Sequence, residues 1–111
     1  MGTRQAREGR DDGSADPISA LHQGTTRDLA FTVTAATDQP VGATTTVVRL
    51  QATEDCRYLI GANPTAAQSS GGGTALSAGV AEYRAIQPGH RVSVIAPSGG
   101  NNGSLNIEEC A

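Results

Sequence analysis

From Leu29 to Ile107, apolar and polar side chains alternate at a spacing of two in one short segment after another, and this alternation constrains the fold more than any other feature. A period of two matches a half-buried β-strand, whose successive side chains point to opposite faces of a sheet. Leu29, Phe31, Val33 and Ala35 share one face, with Thr32 and Thr34 on the other. Between Thr45 and Thr53, Val48, Leu50 and Ala52 turn inward while Arg49 and Gln51 turn outward. Cys56, Tyr58 and Ile60 repeat the pattern after Glu54-Asp55, a two-residue connection suited to a hairpin, so these two strands are expected to pair.

The second half continues in kind. Segments Val80 to Ile86 and Arg91 to Ala96 flank Pro88-Gly89, where proline supplies the fixed φ and glycine the positive φ of a type II turn, and a second hairpin is expected there. A final strand from Ser104 to Glu109 sets Leu105 and Ile107 against Asn106 and Glu108, after a polar loop over 97–103. Nothing reads as a helix longer than about two turns. The expected fold is therefore all-β: a small β-sandwich, jelly-roll-like, or a barrel of about six to eight strands. The connection from Asn63 to Ala75 contains three consecutive glycines and is expected to be an exposed, mobile loop, with Asn63 and Pro64 as candidate partner contacts.

Ahead of these strands the composition changes. Residues 1–28 are rich in Arg, Asp and Gly and hold only Ile18 and Leu21 as large apolar side chains after Met1, too few to offset the entropy of ordering the segment. The expected organisation is an extended N-terminal arm over 1–28 and one β-domain over 29–111, since 111 residues leave room for a single core. Arg4, Arg7, Arg10, Ile18 and Leu21 are the arm's candidate contacts, because such a segment can order on a partner. The domain has one Phe, two Tyr and no Trp, a light core to which neighbouring subunits of a homo-oligomer or lattice are expected to add stability.

Charge and motif content argue against several function classes. A net charge of −3 is opposite to the basic patch that captures nucleic acid, so no direct nucleic-acid partner is expected. No apolar run approaches a membrane span, and the charged N-terminus lacks the apolar stretch of a signal peptide, so no membrane partner and synthesis in a cytoplasm are expected. Cys56 and Cys110 fit no metal spacing, even with His22 and His90; reduced thiols are the first reading and a Cys56–Cys110 disulfide the second.

No Gly-x-Ser-x-Gly elbow accompanies the serines and histidines, and the glycines at 71–73 lack the Lys-Ser/Thr and helix that make a phosphate cradle. Glu54-Asp55 and Glu108-Glu109 are adjacent pairs that point to opposite faces of a strand, unlike the facing carboxyls of a glycosidase, and read as solvated charges. The Asp-x-Asp-x-Asp-Gly calcium pattern is absent, and Asn102-Gly103-Ser104 reads as a turn. Tyr58 and Tyr83 both fall on faces assigned to the core, which leaves no aromatic platform for bases or sugars. No catalytic residue, cofactor or metal is expected, and the chain reads as non-enzymatic.

Four stretches carry a resemblance: CRYLIGANPT at 56–65, LSAGVAEY at 76–83, QPGHRVSVI at 87–95 and GSLNI at 103–107. Together they resemble small tailed-bacteriophage virion proteins, in which Gly-x-Asn-Pro-Thr-Ala ends a strand and is followed by Leu-Pro-Ala-Gly-x-x-Glu-Tyr and Pro-Gly-x-x-Val. Ser77 stands where that pattern has proline, and the charged arm matches no part of it. The resemblance covers roughly half of the chain and implies a virion structural protein of sandwich or jelly-roll type. Its implied partners are the major capsid protein or other virion proteins. A head decoration or cement protein is the leading expectation, a tail or head–tail connector component the second, and a module binding host-surface carbohydrate the third.

Overall fold

Val48, Leu50 and Ala52 from one run and Cys56 and Tyr58 from the next are all buried, yet the two runs lie in different sheets. The computed structural model describes residues 23–68 and 71–110. Its strands are β1 (Gln23–Phe31), β2 (Ala36–Thr37), β3 (Val47–Ala52), β4 (Cys56–Gly61), β5 (Thr74–Leu76), β6 (Ala81–Ala85), β7 (Arg91–Ile95) and β8 (Gly103–Cys110). They form two four-stranded antiparallel sheets in the orders β1-β8-β3-β6 and β2-β7-β4-β5. The all-β sandwich expected from the alternation is the fold found, with one core between the sheets built on Phe31, Val48, Leu50, Tyr58, Leu76, Val92, Val94, Leu105 and Ile107.

The pairing has a simple logic. β1 bonds β8, β2 bonds β7, β3 bonds β6 and β4 bonds β5, so the chain is one long hairpin with its tip between β4 and β5. Rolling that hairpin adds the β3–β8 and β4–β7 ladders and yields the two-sheet order of an eight-stranded jelly roll.

This topology corrects both expected hairpins. The Glu54-Asp55 connection does not reverse the chain within a sheet: Ala52 pairs with Leu105 in one sheet, while Cys56 pairs with Leu76 in the other. At Pro88-Gly89 the turn itself forms, with Gly89 at φ +82° and the His90 N–H donating to the Gln87 carbonyl at 3.0 Å. It nevertheless leads from β6 in one sheet to β7 in the other. A short turn fixes a change of direction, whereas the sheet that the next strand joins is decided by which faces must be buried.

Three further expectations change. The first strand ends at Phe31, so Val33 lies in a corner and is 59% exposed; the Thr34 N–H donates to the Thr32 hydroxyl there at 3.1 Å. That strand begins at Gln23, six residues ahead of Leu29, so 23–28 belong to the sheet. The segment after β4 is not wholly exposed: Pro64 and Ala66 are buried, the Ala66 N–H donates to the Ser93 hydroxyl at 2.9 Å, and Gln68 donates to the Ala96 carbonyl. This segment lies on the outer side of β7 at Ser93, and Ser93 and Ile95 are buried along with the inward Val92 and Val94. Past the core, Gly103 admits no side chain, since a Cβ there would lie 2.8 Å from Cζ of Phe31.

Candidate interaction surface

Side-chain parity along β1 and β8 brings a charged cluster into the sandwich. Arg27 stands opposite Ile107 and so shares the inward face with Leu29 and Phe31; Glu109 continues the inward series Leu105, Ile107. Arg27 donates through Nε to both oxygens of Asp38, through Nη2 to Asp38 Oδ2 at 2.7 Å, and through Nη1 to Glu109. The other oxygen of Glu109 accepts from the Gly42 N–H at 2.9 Å and from the Thr45 hydroxyl at 2.6 Å.

Asp38 and Glu109 are both buried, and the bidentate fork suits guanidinium–carboxylate geometry. Burial favours the neutral form of Glu109, but the Gly42 amide, the Thr45 hydroxyl and Arg27 together outweigh it and hold its carboxyl below the usual carboxylate range. The cluster ties β1 and β8 to the connection between β2 and β3. Glu109 is thus a satisfied internal charge, which corrects its reading as a solvated terminal one. The inward parity with Leu105 and Ile107 was the available signal.

A second cluster lies on β6. Glu82 pairs with Leu50 and Arg84 with Val48, so both charged side chains face inward, and Tyr83, opposite Arg49, faces out. From the other sheet, the Tyr58 hydroxyl donates to Glu82 Oε1 at 2.7 Å and accepts from Arg84 Nε at 2.6 Å, while the guanidinium carbon sits 6.0 Å from the Tyr58 ring centroid. Burial, reinforced by the hydrogen bond to Glu82, raises the Tyr58 hydroxyl above its ordinary value. Tyr83 is 40% exposed and Val80 48%, which corrects the assignment of Tyr83 to the core. β6 is an edge strand, so the inward Glu82 and Arg84 side chains still reach water past its rim while they bond Tyr58; the aromatic then has only the outer face left.

The remaining candidates are distributed as follows. Arg4, Arg7, Arg10, Ile18 and Leu21 lie outside the described residues. Asn63 is exposed, whereas Pro64 is buried and leaves the set of surface contacts. Cys56 and Cys110 are free thiols at opposite ends of the strand ladder: Cys110 pairs with Val47 at the start of β3, and Cys56 follows its far end at Ala52. Five residues of extended chain span about 17 Å, well beyond disulfide reach. Burial, with the charges of Asp55 and Glu82 nearby, pushes the Cys56 thiol up to about 11, and burial also raises Cys110, so neither is an activated nucleophile. Among the described residues no group of three or more His, Cys, Asp and Glu side chains is arranged to hold a metal ion.

Compared with protein-family models, curated proteins and solved structures, the chain gives no match. Among the described residues, the surface features that distinguish it are the outward Tyr83, the exposed Val80, the open edge of β6 and the exposed Asn63 beyond β4.

Proposed function

We propose that the chain is a non-enzymatic structural protein of a bacteriophage virion, a decoration or cement module that binds the major capsid protein and reinforces the head lattice. The observation that carries this reading is the two-sheet, eight-stranded jelly-roll order, an architecture used by viral capsid proteins. The four stretches that resemble phage virion proteins support it, for they fall on β4 and its exit, the β5–β6 turn, the Pro88-Gly89 crossing with β7, and β8.

Most of the charged side chains best suited to chemistry are engaged in holding the fold. Arg27, Asp38 and Glu109 form one cluster, Glu82, Arg84 and Tyr58 another, and Arg57 donates to the Gly73 carbonyl. A tail or connector component differs from this reading in copy number. The carbohydrate-binding reading gains one observation, the outward Tyr83, although a single exposed aromatic on an edge strand does not by itself make a concave pocket.

The arm is assigned the tethering role. Its test is a truncation at Gln23 and not at residue 28, because removing 23–28 would delete Arg27 and most of β1. Removing residues 1–22 is expected to leave the thermal midpoint within a few degrees of the full chain and to abolish incorporation into particles, read by co-sedimentation. Undiminished incorporation would remove the arm from the mechanism.

A further inference from the structure

We propose that the open edge of β6 is a docking surface for a second copy of this chain, joined by antiparallel β6–β6 pairing centred on Tyr83. The inference stands on the edge alone and does not depend on the virion reading.

Among the described residues β6 is hydrogen-bonded only to β3. The Ile86 N–H donates to the Thr46 carbonyl at 2.9 Å, so by the alternation of an antiparallel ladder Arg84 and Glu82 also direct their backbone groups to β3. Ala81, Tyr83 and Ala85 therefore present their N–H and C=O groups to the open side. Added pairing of that kind forms intermolecular sheets with main-chain hydrogen bonds, and a twofold axis makes the same patch serve both copies. Of the other edge strands, β2 and β5 are two and three residues long, and β1, nine residues long, is broken by a register shift between Gln23 and Thr26 that interrupts its regular edge.

The sequence of β6, Ala81-Glu-Tyr-Arg-Ala85, is self-complementary about its centre. With the axis at Tyr83, Glu82 stands opposite the partner's Arg84, Arg84 opposite the partner's Glu82, and Ala81 opposite the partner's Ala85. Tyr83 meets the partner's Tyr83 on the outer face, where each is exposed in the single chain. Moving the axis one residue either way sets Glu82 against the partner's Glu82 or Arg84 against the partner's Arg84. Like charges directly opposite are destabilising, so the charge order selects one register. The Glu82 and Arg84 side chains are 30% and 48% exposed, which leaves them accessible to a neighbouring strand while they bond Tyr58. The result would be a continuous eight-stranded sheet through the dimer.

The test is sedimentation velocity on the full chain across concentration. The unmodified protein is expected to dimerise. E82R and R84E, each alone, place like charges opposite one another and are expected to weaken dimerisation by at least roughly tenfold. An equimolar mixture of the two variants is expected to restore it, because every introduced charge then meets its opposite. Y83P removes an N–H directed to the open side, leaves the β3 ladder bonded and is expected to be a folded monomer. A wild-type chain that stays monomeric up to about millimolar concentration, a dimer that survives Y83P, or a mixture that fails to re-form dimers would overturn the proposal.

Discussion

Replacing Arg27 with methionine is expected to lower the unfolding free energy by about 3–5 kcal/mol at neutral pH, because it leaves the buried carboxylates of Asp38 and Glu109 facing each other without their cation. Methionine keeps most of the apolar stem, so the loss reports charge and hydrogen bonding and not a cavity. For a domain whose total stability is typically about 5–15 kcal/mol, this is a large fraction, and a drop in midpoint of at least roughly 12 °C is the expected reading by circular dichroism. Arg27→Lys should fall between the two, since an ammonium keeps the charge and loses the fork.

The pH dependence separates this account from a simple packing defect. In the wild type Glu109 has its folded pKa lowered, so its contribution is fully present above the ordinary carboxylate value of about 4.3 and is lost as pH falls through the lower folded value. Without Arg27 the Gly42 and Thr45 hydrogen bonds still lower Glu109 but the cation's share of that lowering is gone, and protonation then removes a repulsion. The stability gap between wild type and R27M is therefore expected to narrow as pH falls below about 5. A gap that is constant from pH 7 to pH 3 would show that the cluster is not electrostatic in origin.

Phe31→Ala is the second large effect, expected at about 3–5 kcal/mol. Phe31 is 1% exposed and packs directly against Gly103, where an added Cβ would lie 2.8 Å from its Cζ. Its contrast is Val33→Ala, two residues on and nominally on the same face, which is expected to change stability by less than about 0.5 kcal/mol because Val33 is already in solvent. Equal costs at the two positions would mean that β1 runs on past Phe31.

That pair of residues shows where the sequence is legible and where it stops being so. Alternation identifies β3, β4, β7 and β8 because each has one face against the core, and it carries no information about the corner at Thr32–Ala35. The turns at Glu54-Asp55 and Pro88-Gly89 were legible as turns, whereas their crossings between sheets depend on distant partners: β6 and β8 occupy both sides of β3, and β7 pairs with β2 and β4. β6 misleads because its apolar Tyr83 is outward and its charged Glu82 and Arg84 are inward, an order that makes sense only for an edge strand with Tyr58 across the core. The ion cluster was half legible: Arg27 shares the parity of Leu29 and Phe31, and Glu109 that of Leu105 and Ile107, but Asp38 comes from a loop that no periodicity marks.

The proposed role as a head decoration protein is tested most directly by the copy number of this chain in purified particles, measured by quantitative mass spectrometry against the major capsid protein. Hundreds of copies per particle are the predicted result; about three to twelve, the number expected of a closed ring at a single vertex or tail, or none at all, would contradict it.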